Sequence, residues 1–312
     1  MKIKQLAVGN LLVKNNVFLA PMAGYTDYGF RALQIKQGVG LTFTELVSAK
    51  GLNYGAKGTE QLLFCGGDEK NTAVQIFGGD PYHMRLACES EYLAPFEMVD
   101  INMGCPVPKV YKNGEGSALL GDIKRAEQIV SECVKSKKII TVKIRTGLTE
   151  GENVATEFAK MAEGAGASLI TIHGRVRTAY YSGEPDYDAI YNAKKAVGIP
   201  VIANGGIFDE KDADKMMDRT GADGIMLARG AIANPFLVCT LTGSTPTCTK
   251  KEYMLKHIRL MEKIYGDKRA SLEFRKFIPY YLKGAVGVKT EKLALMQAQC
   301  VEEIIEIIEK SL

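Results

Sequence analysis

Through residue 240 the chain alternates short apolar runs, rich in β-branched residues, with longer stretches whose apolar positions recur at helical spacing. Eight short runs stand out: Val17–Pro21, Leu41–Leu46, Ala73–Phe77, Met98–Asn102, Ile139–Arg145, Ser168–His173, Pro200–Asn204 and Gly224–Ala228. Helical patterns fill the gaps, as at Asp122–Ser136 and Asn153–Ala165, and Gly164, Gly166 and Gly221 mark turns back into strands. This alternation predicts parallel strands joined by crossover helices rather than a sandwich. Eight strands with eight connections is the count of a closed (β/α)8 TIM barrel, an α/β fold; a doubly wound sheet usually needs fewer.

Beyond Pro235 the rhythm changes. The segment from Leu241 to Thr249 is small, polar and turn-prone, which marks a linker, and only helical patterns follow it. The last of these places Leu293, Met296, Val301, Ile304, Ile305 and Ile308 near one stripe, with Glu302, Glu303, Glu306 and Glu309 off it. The predicted organisation is a barrel over 1–240, a linker over 241–249 and a small all-helical C-terminal domain over 250–312. Single cores stop growing at roughly 250–300 residues, so a 312-residue chain that is 46% hydrophobic can fill one large core and carry an appendage. A helical unit of ~65 residues is small to stand alone and is expected to dock on the barrel.

Composition narrows the setting. No stretch approaches the ~20 apolar residues of a membrane span, and no apolar leader follows Met1-Lys2, so a soluble, unexported protein is expected. Seven scattered cysteines with no C-x-x-C pair, and only three histidines, signal neither a disulfide framework nor a metal site and fit a reducing cytoplasm. The formal net charge is only +4, yet Lys250 to Lys292 holds twelve Lys/Arg against five Asp/Glu, a local +7. Such a concentration suits a polyanion partner as well as it suits a solvated helix face.

Barrel side chains alternate inward and outward, and catalytic groups sit where inward positions meet the C-terminal ends of strands. Val74 and Ile76 oppose Gln75; Val99 and Ile101 oppose Asp100 and Asn102; Ile140, Val142 and Ile144 oppose Thr141, Lys143 and Arg145; Ile170 and Ile172 oppose Thr171 and His173. Gln75, Asn102, Lys143 and His173 are therefore predicted to converge on one rim. Buried polar groups cost on the order of 1–3 kcal/mol each unless partnered, so something polar must meet them. The seventh and eighth strands end in Asn204-Gly205-Gly206 and Ala228-Arg229-Gly230, where a barrel commonly holds a phosphate: glycine lets the backbone come close and Arg229 offers a fork.

These motifs, in order and spacing, resemble one family. Ala20-Pro21-Met22-Ala23-Gly24-Tyr25-Thr26-Asp27, Gln75-Ile76-Phe77-Gly78, Asp100-Ile101-Asn102-Met103-Gly104-Cys105-Pro106, Lys143-Ile144-Arg145, Ile172-His173-Gly174-Arg175 and the two glycine loops are similar to those of the tRNA-dihydrouridine synthases. The likeness spans essentially the whole barrel, and Asn-x-Gly-Cys-Pro is its most specific element. Gly104 to Val110 and Gly224-Ile-Met lean toward the bacterial B-type subgroup, while Tyr25 and the short tail depart from the pattern.

The resemblance implies that NADPH reduces a tightly bound FMN, that the reduced flavin passes hydride to C6 of a uridine in tRNA, and that Cys105 protonates C5. An unperturbed thiol pKa of about 8.5 leaves the proton in place at neutral pH. Carried over residue by residue, Pro21, Met22, Ala23 and Gln75 would hold the ring, Lys143 its anionic edge, His173 the span to the phosphate, and Asn204, Gly205, Gly206, Ala228 and Arg229 the phosphate itself. Asn102 and Arg175, with Arg145 beside them, would read the flipped uracil. Lys109, Lys112, Arg275, Lys276 and Lys283 would contact tRNA, the helical tail being where the family binds it. Tyr280 and Tyr281 offer rings for base stacking or, more plainly, for packing the helices on the barrel. Asn113–Ser117, with two glycines, is expected to be able to move the acid over its substrate. The expected protein is a cytoplasmic monomer without metal. The rival reading is an FMN barrel acting on a free dihydroorotate- or dihydropyrimidine-type substrate, which leaves the basic tail without a use.

Overall fold

A computed structural model describes residues 1–311 apart from 57, 68 and 70, so Leu312, the end of the expected tail, lies outside the described residues. The strands are β1 (Leu6–Val8), β2 (Leu11–Val13), β3 (Val17–Leu19), β4 (Thr42–Ser48), β5 (Thr72–Phe77), β6 (Met98–Met103), β7 (Ile139–Arg145), β8 (Leu169–His173), β9 (Val201–Asn204) and β10 (Gly224–Leu227). Strands β4 to β10 pair in chain order, all parallel, and β10 pairs with β3. A bridge between Phe18 and Leu41, with the Leu19 amide donating to Leu41 O at 2.9 Å, closes the circle. Each of the eight expected runs is one barrel strand.

Aspartates start five of the barrel helices. Asp27, Asp80, Asp122, Asp186 and Asp209 each accept a hydrogen bond from a first-turn amide, removing one of the helix's unsatisfied donors. Gly221, at φ +59°, ends the helix Glu210–Thr220 and returns the chain to β10.

The alternation along the strands divides two cores. Val74, Ile76, Val99, Ile101, Val142, Ile144, Ile170 and Ile172 face the helices, while Phe18, Phe43, Ala73, Met98, Leu169, Ile202 and Met226 fill the lower barrel interior. Strands β1 and β2, which the sequence reading missed, form an antiparallel hairpin that adds Leu6, Val8 and Val13 to this interior cluster and stoppers the barrel floor. Its signal was present: short apolar runs, Leu6–Val8 and Leu11–Val13, on either side of a two-residue Gly9-Asn10 turn.

The C-terminal helices begin at Lys250, where Thr249 and Glu252 form a capping box. The first, Lys250–Tyr265, lies on the helix Tyr28–Lys36, with Gln34 donating to the Tyr253 hydroxyl at 3.0 Å. Tyr253, His257, Phe274, Phe277 and Tyr281 are all buried at this seam. The expected linker is partly helical, since Leu237–Thr242 is a helix, and Gln37 holds the rest by accepting from the Thr247 amide. The single apolar stripe expected over 293–308 is broken into helices Lys289–Gln297 and Val301–Ser311. Asp267 and Ser271 bind the backbone at Val301 and Gln299, which fixes the break and leaves Leu293 exposed while Val301, Ile304, Ile305 and Ile308 are buried.

Candidate active site

Above the apolar floor the interior turns polar within one strand repeat. Gln75, Asp100, Thr141 and Thr171, all buried, form a middle layer; buried Asn102, His173 and Asn204, with half-buried Lys143, form the layer above. Asp100 accepts from Thr141 Oγ1 at 2.6 Å and from Gln75 Nε2 at 2.7 Å. Burial lifts its carboxyl to about 6 despite those bonds and the nearby Lys143. The Lys143 ammonium donates to Asn204 Oδ1 at 2.9 Å, and burial, then Arg145, push it down to about 8 while Asp100 pulls it back up.

This layer floors a cleft of about 630 Å3 at the C-terminal rim, the size of a site for a cofactor-sized ligand. Pro21, Met22, Ala23 and Tyr25 line one wall, Asn204 to Phe208 and Ala228 to Gly230 another, and Cys105 with Arg145 a third. Cys105 follows β6. Its amide donates to Asn102 Oδ1 at 2.9 Å, its carbonyl accepts twice from Ser117, and Arg145 Nε donates to Gly104 O at 3.0 Å. Burial pushes the thiol above its usual range, so it keeps its proton at neutral pH.

At the glycine end, Gly205 and Gly206 take φ of +120° and +71°, which only glycine adopts without strain, and turn the loop around His173 and Arg175. Two buried atoms there have no hydrogen-bond partner among the described residues: His173 Nδ1 and Arg175 Nη1. Burial and four cations, Lys143, Arg145, Arg175 and Arg229, hold His173 far below the usual histidine range, so its ring is neutral. An unsatisfied guanidinium donor among clustered cations suits an anion.

Residues 18–309 match the family described as Dihydrouridine synthase (Dus). The tRNA-dihydrouridine synthase B of Pasteurella multocida is 37% identical over 289 residues, covering 89% of this chain and 87% of that protein. Its counterpart in Pseudomonas putida is 35% identical over 308 residues, covering 94% and 91%. This chain belongs to the dihydrouridine synthase family. Membership makes it an oxidoreductase, and its curated relatives are of the bacterial B type. An old yellow enzyme homologue from Zymomonas mobilis (TM-score 0.57, 11% identity, 79% of this chain and 93% of that one) and morphinone reductase (0.56, 15%, 77% and 89%) share the barrel fold.

Not every expected residue of this dihydrouridine synthase lies where the reading put it. Arg175 is turned away from Cys105: its Nε and Nη2 bind Ser182 and Gly183 carbonyls, and Nη1 points to the glycine loop. The sharp turn after β8, where the Arg175 amide donates to His173 O, sends it there, leaving Arg145 as the arginine beside the thiol. Arg275 braces the C-terminal helices through Ala298 O, and Lys276 pairs with Glu273 over the rings of Tyr25 and Phe277. Tyr281 is packing, stacked on Phe277 and bonded to His257 Nδ1 at 2.8 Å, whereas Tyr280 lines the cleft. Lys109, Lys112 and Lys283 are exposed. The segment 113–117 is pinned rather than hinged: Ser117 is buried against Cys105 O, and a Cβ on Gly116 would meet Val110 at 2.9 Å. Sequence reasoning missed Tyr181, whose ring lies under the guanidinium of Arg229 at 4.3 Å and edge-on to His173. It sits on an irregular loop with no strand phase to place it.

Proposed function

We propose that this chain reduces the C5=C6 bond of uridines in tRNA to 5,6-dihydrouridine, with FMN as resident cofactor, NADPH as the hydride source and Cys105 as general acid. The observation that carries the reading is one cleft with a protonated thiol beside Arg145 at one end and, at the other, His173 and Arg229 around the Gly205-Gly206 turn, with Lys143 in its floor. The residues fit FMN. Arg175 Nη1 needs an acceptor beside Gly205 and Gly206, as a phosphate supplies, His173 turns its Nε2 edge to Gly205, and Lys143 offers a cation to an electron-rich ring edge. Pro21, Met22, Ala23, Gln75 and Lys143 would hold the ring; Asn204, Ala228 and Arg229 would complete the phosphate cradle. Bound there, FMN supplies hydride transfer between nicotinamide and uracil.

Cys105 holds the proton that C5 requires once C6 has taken hydride, so the two additions saturate the bond and the thiol is reprotonated from solvent. Arg145 and Asn102 bracket the thiol, and Arg145 Nη2 with the second Asn102 Nδ2 hydrogen would meet the uracil carbonyls. A uridine in folded RNA must leave its stack to enter, at a cost of a few kcal/mol, so wide backbone contacts are needed. Exposed Lys109 and Lys112 on the helix just after Cys105, and Lys283 on the helical region, extend the basic surface from the rim. The barrel and the C-terminal helices are read as catalytic and RNA-binding domains of a cytoplasmic monomer; no described helix is long and apolar enough to cross a membrane, and the described residues hold no metal-binding cluster.

The test is the purified protein with unmodified tRNA, NADPH and, separately, free uridine. Yellow protein that forms dihydrouridine in tRNA supports the reading. Turnover of free uridine at the same rate overturns it in favour of a small-molecule oxidoreductase.

A further inference from the structure

Amide side chains present a donor and an acceptor on nearly isosteric arms, so a buried amide needs a neighbour that dictates which arm points where. Between the barrel's middle layer and Cys105 two such amides stand in series. The Cys105 and Gly104 amides can only donate, and both meet Asn102 Oδ1, at 2.9 and 3.2 Å. Asn102 must then turn Nδ2 the other way, and it donates to Gln75 Oε1 at 2.9 Å. Gln75 is left with Nε2 at its far end, donating to Asp100 Oδ2 at 2.7 Å. Thr141 Oγ1, at 2.6 Å from Oδ1, holds the carboxylate from its other side. The carboxylate is fully buried and does not line the cleft, so it has no ligand of its own to bind.

We propose that Asp100 is a positioning residue for Cys105: as the acceptor at the root of this relay it sets the orientation of Gln75, then of Asn102, and so holds the Gly104-Cys105 turn where the thiol faces the cleft. An apolar residue at 100 leaves Gln75 free to flip, which puts Nε2 against Asn102 Nδ2; Asn102 then flips in turn or parts from Gln75, and a flipped Asn102 sets donor against donor at the Cys105 amide. An asparagine at 100 preserves the relay, because its oxygen still accepts from Gln75 while its nitrogen donates to Thr141 Oγ1.

This inference rests on the reading of Cys105 as the acid, and its test separates the two. Purified holoenzyme is compared as wild type, Asp100→Leu, Asp100→Asn and Gln75→Met, the last cutting the relay one link later should leucine at 100 fail to fold. The rate of Cys105 alkylation by iodoacetamide, followed on its own peptide by mass spectrometry, reports how firmly the turn is held. The relay predicts about a tenfold rise in Asp100→Leu and Gln75→Met, the scale of one lost buried hydrogen bond, with Asp100→Asn within about twofold of wild type. NADPH-driven flavin reduction in Asp100→Leu stays within about threefold while dihydrouridine formation falls about tenfold. Unchanged alkylation in Asp100→Leu and Gln75→Met, or a rise in Asp100→Asn as large as in the leucine variant, overturns the relay. Wild-type protein that forms no dihydrouridine overturns the catalytic reading instead, and the alkylation comparison still stands.

Discussion

The two ends of the barrel interior are built by the same strands two to four residues apart, yet they are opposites. At the floor, Phe43, Ala73, Met98, Leu169 and Ile202 meet the hairpin's Leu6, Val8 and Val13 in a sealed apolar plug. At the rim, Gln75, Asn102, His173 and Asn204 are buried but polar, Lys143 is half-buried among them, and among the described residues His173 Nδ1 is left without a partner. The floor lowers the free energy of the chain by itself; the rim raises it until a ligand meets its donors. Stability and chemistry are thus divided along one axis, which a strand's period of two allows without any change of fold.

Substitutions at the two ends should therefore separate activity from stability. The largest expected effect is at the rim: Cys105→Ala keeps flavin and its reduction by NADPH but lowers dihydrouridine formation by about 10²–10⁴-fold, read by mass spectrometry of tRNA. Undiminished product removes the acid role. At the floor, Phe43→Ala costs ~3–5 kcal/mol in denaturant unfolding and leaves the flavin bound per folded molecule unchanged. Loss of flavin from the fully folded variant would show that the two ends are not independent.

A smaller effect sharpens the rim's electrostatics. Lys143, held at about 8, is cationic below that pH and loses its charge above it. The rate of product formation is expected to fall about tenfold per unit as pH rises beyond that value, and Lys143→Met, slower throughout, should lose this limb. A limb with the same midpoint in the variant assigns the titration elsewhere. The smallest effect lies outside the barrel: Lys112→Ala raises KM for tRNA by about threefold and lowers the salt slope by about one, with kcat unchanged, if it contacts a phosphate.

Much of this was legible in the sequence because it follows from local periodicity. The eight strands and the inward phase of Gln75, Asn102, Lys143 and His173 are consequences of a two-residue repeat, and Asp100 shares that phase with Asn102. Features set by loop trajectories were not legible. Arg175 is one residue beyond a sharp turn, so its direction depends on which carbonyls Ser182 and Gly183 present, and Tyr181 depends on Arg229 from a different loop. Tyr280 and Tyr281 are adjacent in a short helix, yet one lines the cleft and its neighbour is core, a distinction made by helix docking alone.

A rim with an unpartnered Arg175 donor beside the glycine loop should hold a phosphorylated flavin far better than one without the phosphate. The most direct measurement is equilibrium binding of FMN to the stripped protein, by quenching of flavin fluorescence, alongside riboflavin, which carries the same ring without the phosphate. Tight FMN binding is expected, weakened by at least about 100-fold for riboflavin, the scale of losing charge-assisted hydrogen bonds to one phosphate. Equal affinity for the two, or no binding of either, would contradict it.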